Sequence, residues 1–270
     1  MERVKVAISI LVLFVVATGP AFAGIGVTPT RQEIRLEPGE ESQGSYVVYN
    51  GADKPVLVKV SCEDWFKLAK NRQINVTSWL EVEPKEFTLA GHERKEVTYR
   101  VKLPEEAVGE LVAMIYFGAE STESSMIHTK FGVSLYVRAK GTDFVEGKIT
   151  DLSIRQVLPD EPSGPYVQTI VTVTNDGNVH LRPRIRTVVN DKKGSTIADI
   201  SFPYGWPVYP GHSYPYCGYA MKKELEPGKY IVTATVDYGD SKNILTKAIG
   251  FTVDRDGKVT KIKKRGGEKR

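Results

Sequence analysis

Residues 96 to 103 read Glu96-Val97-Thr98-Tyr99-Arg100-Val101-Lys102-Leu103, polar and apolar in strict alternation. Side chains two apart on an extended chain share a face, so this octet is a strand with one face on a core and the other in water. The same period recurs on both sides of it. Val56, Val58, Val60 and Cys62 form one set, Leu111, Ala113, Ile115 and Phe117 another, and Phe131, Val133, Leu135 and Val137 a third. No stretch of comparable length carries sustained helical spacing. Half-polar strands of this kind imply antiparallel sheets.

Turn signals separate the runs: Glu37-Pro38-Gly39, Asn50-Gly51, Ala90-Gly91, Asp176-Gly177, Tyr209-Pro210-Gly211 and Glu226-Pro227-Gly228. Proline presets the φ of a turn's first central residue, and glycine takes the positive φ that can follow. Short strands and turns at this spacing predict a sandwich or barrel. A weak repeat doubles the architecture. Val48-Tyr49-Asn50-Gly51 and Val173-Thr174-Asn175-Asp176-Gly177 each end a strand on asparagine and then turn, and Leu36-Glu37-Pro38-Gly39 matches Leu225-Glu226-Pro227-Gly228. The expected fold is all-β: two tandem immunoglobulin-like antiparallel β-sandwiches, residues 24–140 and 141–257, after a cleaved signal peptide.

That signal peptide is residues 1–23. Arg3 and Lys5 precede an apolar run from Val6 to Val16, and Gly19-Pro20 leads to Ala21-Phe22-Ala23, an A-x-A cleavage site. The run is shorter than the roughly 18 to 20 residues that a membrane span needs. Residue 24 is glycine, so the cut end has no thiol for lipid attachment. The mature chain is expected to be periplasmic or extracellular, with no transmembrane segment.

The formal charge of +4 conceals a division. Lys258 to Arg270 holds seven basic residues and one acid, and the signal segment adds one net positive charge, which leaves the folded body near −3. A body of that sign is not a nucleic-acid binder, whose affinity comes largely from cations on phosphates. The basic tail, residues 258–270, reads as a disordered, solvated end or as a weak contact for anionic lipid or cell wall. Cys62 and Cys217 fall in different expected domains, so a disulfide between them would have to cross the domain boundary; two buried thiols is the simpler reading.

Motifs for catalysis are missing. His92, His128, His180 and His212 have no ligand at metal-binding helical spacing, and the sequence has no G-x-S-x-G, no phosphate loop and no dinucleotide fingerprint. The expectation is a non-enzyme without metal or cofactor. One segment stands apart: Tyr204, Trp206, Tyr209, Tyr214 and Tyr216 alternate with four prolines between Phe202 and Tyr219. Rigid amphipathic rings serve protein and sugar interfaces, and they also cover the ends of sandwiches.

Three stretches carry a family resemblance. Gly26-Val27-Thr28-Pro29-Thr30-Arg31, Leu111 to Phe117 and Phe131 to Arg138 resemble the first, sixth and seventh strands of PapD-like periplasmic pilus-assembly chaperones, over residues 24–140. The resemblance implies a chaperone-like protein that binds an extended segment of a pilin-like or surface subunit along an edge strand. It implies that Arg31 meets the partner's carboxylate and that the partner lies along Met126, Ile127, Val133, Ser134 and Leu135. Ser134 stands where the family carries a lysine, and Met126 and Ile127 are adjacent rather than alternating. The second domain is similar to generic bacterial Ig-like modules. The first is also similar to Ig-like domains of Gram-positive wall proteins, which keeps open a structural or adhesive cell-surface role without chaperone activity.

Overall fold

The computed structural model describes residues 24–121, 128–157, 165–203, 205–221, 223–239 and 244–264. The expected signal peptide lies outside them, as do Met126, Ile127, Tyr204 and the tail from residue 265. No helix among the described residues is long and apolar enough to cross a membrane.

The first sandwich contains β1 (Ile25–Thr28), β2 (Arg31–Leu36), β3 (Glu41–Asn50), β4 (Val56–Lys67), β5 (Leu80–Glu83), β6 (Glu86–Leu89), β7 (Arg94–Lys102), β8 (Glu110–Ser121) and β9 (His128–Ala139). One sheet runs β1-β3-β7-β5 and the other β2-β9-β8-β4-β6. All but the last residue of the octet that fixes the fold lie on β7, where Val97, Tyr99 and Val101 are buried between the sheets. The second sandwich contains β10 (Gly147–Val157), β11 (Tyr166–Asn175), β12 (Arg184–Asp191), β13 (Thr196–Ser201), β14 (Ser213–Met221), β15 (Gly228–Asp237), β16 (Leu245–Val253) and β17 (Val259–Lys264). Its sheets run β10-β11-β14 and β13-β12-β15-β16-β17. The two apolar cores share no residue. The chain is all-β, as its period predicts.

Two features depart from simple antiparallel sandwiches. After β1 pairs with β3, the chain crosses at Thr30 to the opposite sheet, and β2 runs parallel to β9 from Arg31↔Ser134 to Leu36↔Ala139. The direction of travel is unchanged, so the new neighbour is met in parallel. Likewise, β5 pairs with β7 while β6, three residues on, pairs with β4 in the other sheet.

The segment from residue 258, expected as a disordered tail, forms β17 against β16. The cause is local. The Asp254 carboxylate accepts the Asp256 and Lys258 N–H groups, and Gly257 takes φ 74°, which closes a hairpin and lays Val259 against the second core.

The repeated asparagine turn has a physical meaning. Asn50 and Asn175 are both fully buried. Each donates its amide to the carbonyl four residues on, Lys54 or Val179, at 2.8 Å, and each accepts an N–H from two residues on. Each also ties a distant loop, through Ala90 in one sandwich and Val208 in the other. A buried amide that meets its bonding needs in this way brackets three segments at once. Cys62 and Cys217 are free thiols, one per sandwich, and burial pushes the Cys62 thiol up to about 11.

Candidate protein-binding edge

Strand β9 is the structural centre of the candidate site. Its whole length pairs with β8, from Glu120↔His128 to Glu110↔Arg138. On its other side β2 begins only at Ser134. Among the described residues, no strand pairs with residues 128–133 on that side.

The register decides which backbone groups face outward. The Ser134 N–H bonds Thr30 O and the Lys140 N–H bonds Leu36 O, both across to the β2 side, whereas the Ala139 N–H bonds Gly109 O on the β8 side. The β8 pairing has no bulge, so the alternation continues and the main-chain groups of His128, Lys130 and Gly132 point at the open edge. Unpaired N–H and C=O groups in a row are a template for another extended chain.

The sheet face beside this edge is half apolar. Met114 and Tyr116 on β8 close over Gly132, where an added Cβ would lie 3.1 Å from the Tyr116 ring and 3.2 Å from the Met114 sulfur. Lys130 Nζ sits 3.7 Å from the Tyr116 ring centroid and 3.5 Å from Glu63, and Lys59 meets Glu120 at 3.0 Å. Arg31 lies beside Ser134, half exposed, with its Nε 3.1 Å from Glu33 Oε1.

The expected site residues divide. Arg31 and Ser134 are register neighbours on β2 and β9. Val133 and Leu135 are fully buried in the first core and cannot offer side chains to a partner. The alternation of Phe131, Val133, Leu135 and Val137 already assigns odd residues to the core, and the even residues Lys130, Gly132 and Ser134 face outward. That parity identifies Lys130 and Gly132, which the resemblance alone passed over. Met126 and Ile127 lie outside the described residues.

The rest of β9 meets the second sandwich. Tyr136 packs on His180 with ring centroids 4.1 Å apart and the planes tilted by 37°, and its hydroxyl is 3.1 Å from that of Tyr209. Tyr209 stacks in turn on Phe66 at 4.7 Å. Beneath these rings lies a charged cluster. Glu110 is fully buried; its oxygens take the His180 backbone N–H at 3.1 Å and lie 2.8 and 2.9 Å from His180 Nδ1. Arg138 approaches the same carboxylate at 3.5 Å. Arg182 Nε reaches His180 Nε2 at 3.1 Å and Glu33 at 3.2 Å. The His180 hydrogen bond, against the opposing effect of partial burial, holds the Glu33 carboxyl down to about 2. Burial pushes the Tyr209 hydroxyl up, and the Tyr136 contact adds to it. None of these pairings was visible in sequence, because their members come from β2, β4, β8, β9 and the β11–β12 and β13–β14 connections.

The aromatic segment is divided among three uses. Tyr209 belongs to the domain seam. Tyr216 is buried in the second core, bonding Trp206 O through its hydroxyl, and Tyr214 packs against that core. Trp206 alone of the described four is an open surface ring, 72% exposed. Tyr204 lies outside the described residues. Among the described residues, no three His, Cys, Asp or Glu side chains converge as a metal-binding set.

No protein-family model matches the chain, and no curated protein does. Many of its structural neighbours are PapD-like fimbrial chaperones. The chain is similar to the CupB2 chaperone of Pseudomonas aeruginosa (14% identity, 82% of this chain and 97% of that one, TM-score 0.44). It is similar to the Escherichia coli chaperone DraB (12%, 90% and 98%, TM-score 0.41). It is also similar to a chain of the CsuC–CsuE chaperone–tip adhesion subunit complex of Acinetobacter baumannii (11%, 83% and 98%, TM-score 0.41).

Proposed function

We propose that this chain is a periplasmic, chaperone-like, non-catalytic protein that holds an extended segment of a pilin-like or surface protein against the open half of β9. The observation that carries this reading is the outer edge of residues 128–133, which no strand pairs among the described residues and which ends at Ser134 where β2 takes over. A partner strand added there bonds the outward main-chain groups of Lys130 and Gly132 and rests side chains on Met114 and Tyr116. Arg31 stands at the inner end of the edge, where a partner's carboxylate would meet it, although Glu33 already shares its charge.

Lys130→Pro tests the edge. It deletes an N–H that faces away from β8, and proline is tolerated at such edge positions. Co-purification from the secreting cell should recover an extended-segment partner with the native chain and lose it with Lys130→Pro, while thermal unfolding changes little. Undiminished recovery would sink the reading.

A second reading, an adhesive surface module, is favoured by Trp206, whose exposure nothing in the fold demands. Trp206→Ala should then abolish adhesion to cell-wall material with stability unchanged, while Lys130→Pro leaves adhesion intact.

A further inference from the structure

His180 sits almost wholly buried at the seam between the sandwiches, and every polar group it meets is charged. From the first sandwich come Glu33 on β2 and Glu110 on β8, with Arg138 on β9 bonded to Glu110 and Arg31 on β2 bonded to Glu33. From the second comes Arg182, two residues away. Tyr136 covers the ring face and bonds Tyr209, and His212 lies across Phe66 at the far end of the same seam.

The hydrogen-bond directions define two states. Arg182 Nε donates to His180 Nε2, so that nitrogen is an acceptor, and the neutral ring carries its proton on Nδ1, donated to Glu110. In this state the ring makes one bond across the seam. Protonation puts a hydrogen on Nε2. It then faces Glu33 Oε1, 3.5 Å away, and Arg182 keeps its own 3.2 Å bond to that carboxylate. The ring now bridges two carboxylates of the other sandwich, and both bonds are charge-assisted, roughly twice as strong as neutral ones. Arg182, bonded directly to the ring, opposes this state, and Glu33 offsets it.

We propose that His180 is a pH-sensitive lock between the two sandwiches: the imidazolium ties Glu110 and Glu33 to the second domain and fixes the interdomain angle, and loss of its proton breaks the tie to Glu33, leaves that carboxylate to Arg182 alone and lets the domains swing. The energetics have the required sign. Burial opposes the charged ring, but the bonds to Glu110 and Glu33 outweigh it, so the imidazole titrates above its ordinary 6.5. A group whose pKa is raised on folding contributes stability that is complete below the unfolded value and lost as pH rises through the folded one. The lock is therefore closed in mild acid and opens as pH rises through the raised pKa of the ring. Glu33, held near 2, stays ionised throughout that window.

The test uses the full chain and two kinds of nuclear magnetic resonance measurement. The His180 imidazole nitrogens should titrate above 6.5, with Nδ1 protonated in both forms. Residual dipolar couplings should fit one alignment tensor for both sandwiches at about pH 6 and need two at about pH 9, on either side of the range in which histidine is tuned. Glu33→Gln, at a half-exposed position, removes the carboxylate charge that the protonated ring and Arg182 both engage, and His180→Gln removes the titration while leaving the Arg182–Glu33 pair in place. Both variants should give the two-tensor behaviour at about pH 6 that the native chain shows at about pH 9. A single tensor for the native chain at both pH values, or a ring that titrates at or below 6.5, overturns the proposal without need of either variant.

Discussion

The first half of β9 (residues 128–133) and the second half (134–139) carry one alternation and meet different surroundings. Both turn odd residues into the first core, and both pair with β8. Beyond Ser134, β2 covers the outer edge, and Tyr136 is held by Tyr209 and His180 of the second sandwich. Before Ser134 the edge has no neighbour among the described residues, and the outer face is Gly132 under two β8 side chains. A strand's own sequence therefore fixes which side chains are core. Its neighbours decide which backbone groups are available to a partner.

The sharpest way to break that comparison is to remove core from the closed half. Leu135→Ala deletes a fully buried side chain between the sheets, and such truncations cost about 2–5 kcal/mol. Chemical denaturation should show a loss of that size. If Leu135 instead served a partner, stability would hold and binding would fall.

A smaller effect is expected at the seam that separates the two surroundings. Gly109 has φ +69°, and a Cβ there would lie 2.5 Å from Asn178 O of the second sandwich. Both the backbone conformation and the contact demand glycine. Gly109→Ala should destabilise the chain by about 1–3 kcal/mol, since strain at a special φ is of that order. The loss should appear in the cooperativity between domains, read from whether two probes, one per sandwich, still unfold together.

What could be read before the structure follows from the same division. Period-two patterning fixed the strands, and with them the inward parity of Val133 and Leu135, because alternation is a local property of the chain. The asparagine repeat was legible as a turn because the side chain bonds its own next residues. Whether an edge is covered is a long-range property. Nothing in Arg31–Leu36 states that it will cross to the other sheet and lie parallel to β9, so the boundary at Ser134 could not be found by pattern. The seam was hidden for the same reason: Glu33, Glu110, His180 and Arg182 lie up to 149 residues apart and meet only after both sandwiches have formed. The hairpin into β17 was legible in Asp254 and Gly257, but the basic composition beyond them favoured a solvated tail.

The smallest expected effect distinguishes most finely between backbone and side chain in the open half. Lys130 has two modest ties, an exposed cation–π contact of about 0.5–1 kcal/mol and a surface ion pair worth about 0–1 kcal/mol. Lys130→Ala loses both and should cost about 1 kcal/mol in denaturant unfolding or less, because each tie is screened by solvent. It keeps the outward N–H that Lys130→Pro deletes. If the open edge binds through its main chain, the alanine variant retains the partner and the proline variant loses it. Equal loss in both would place the recognition in the ammonium group over Tyr116, and β9 would then be a charged surface rather than a strand awaiting a neighbour.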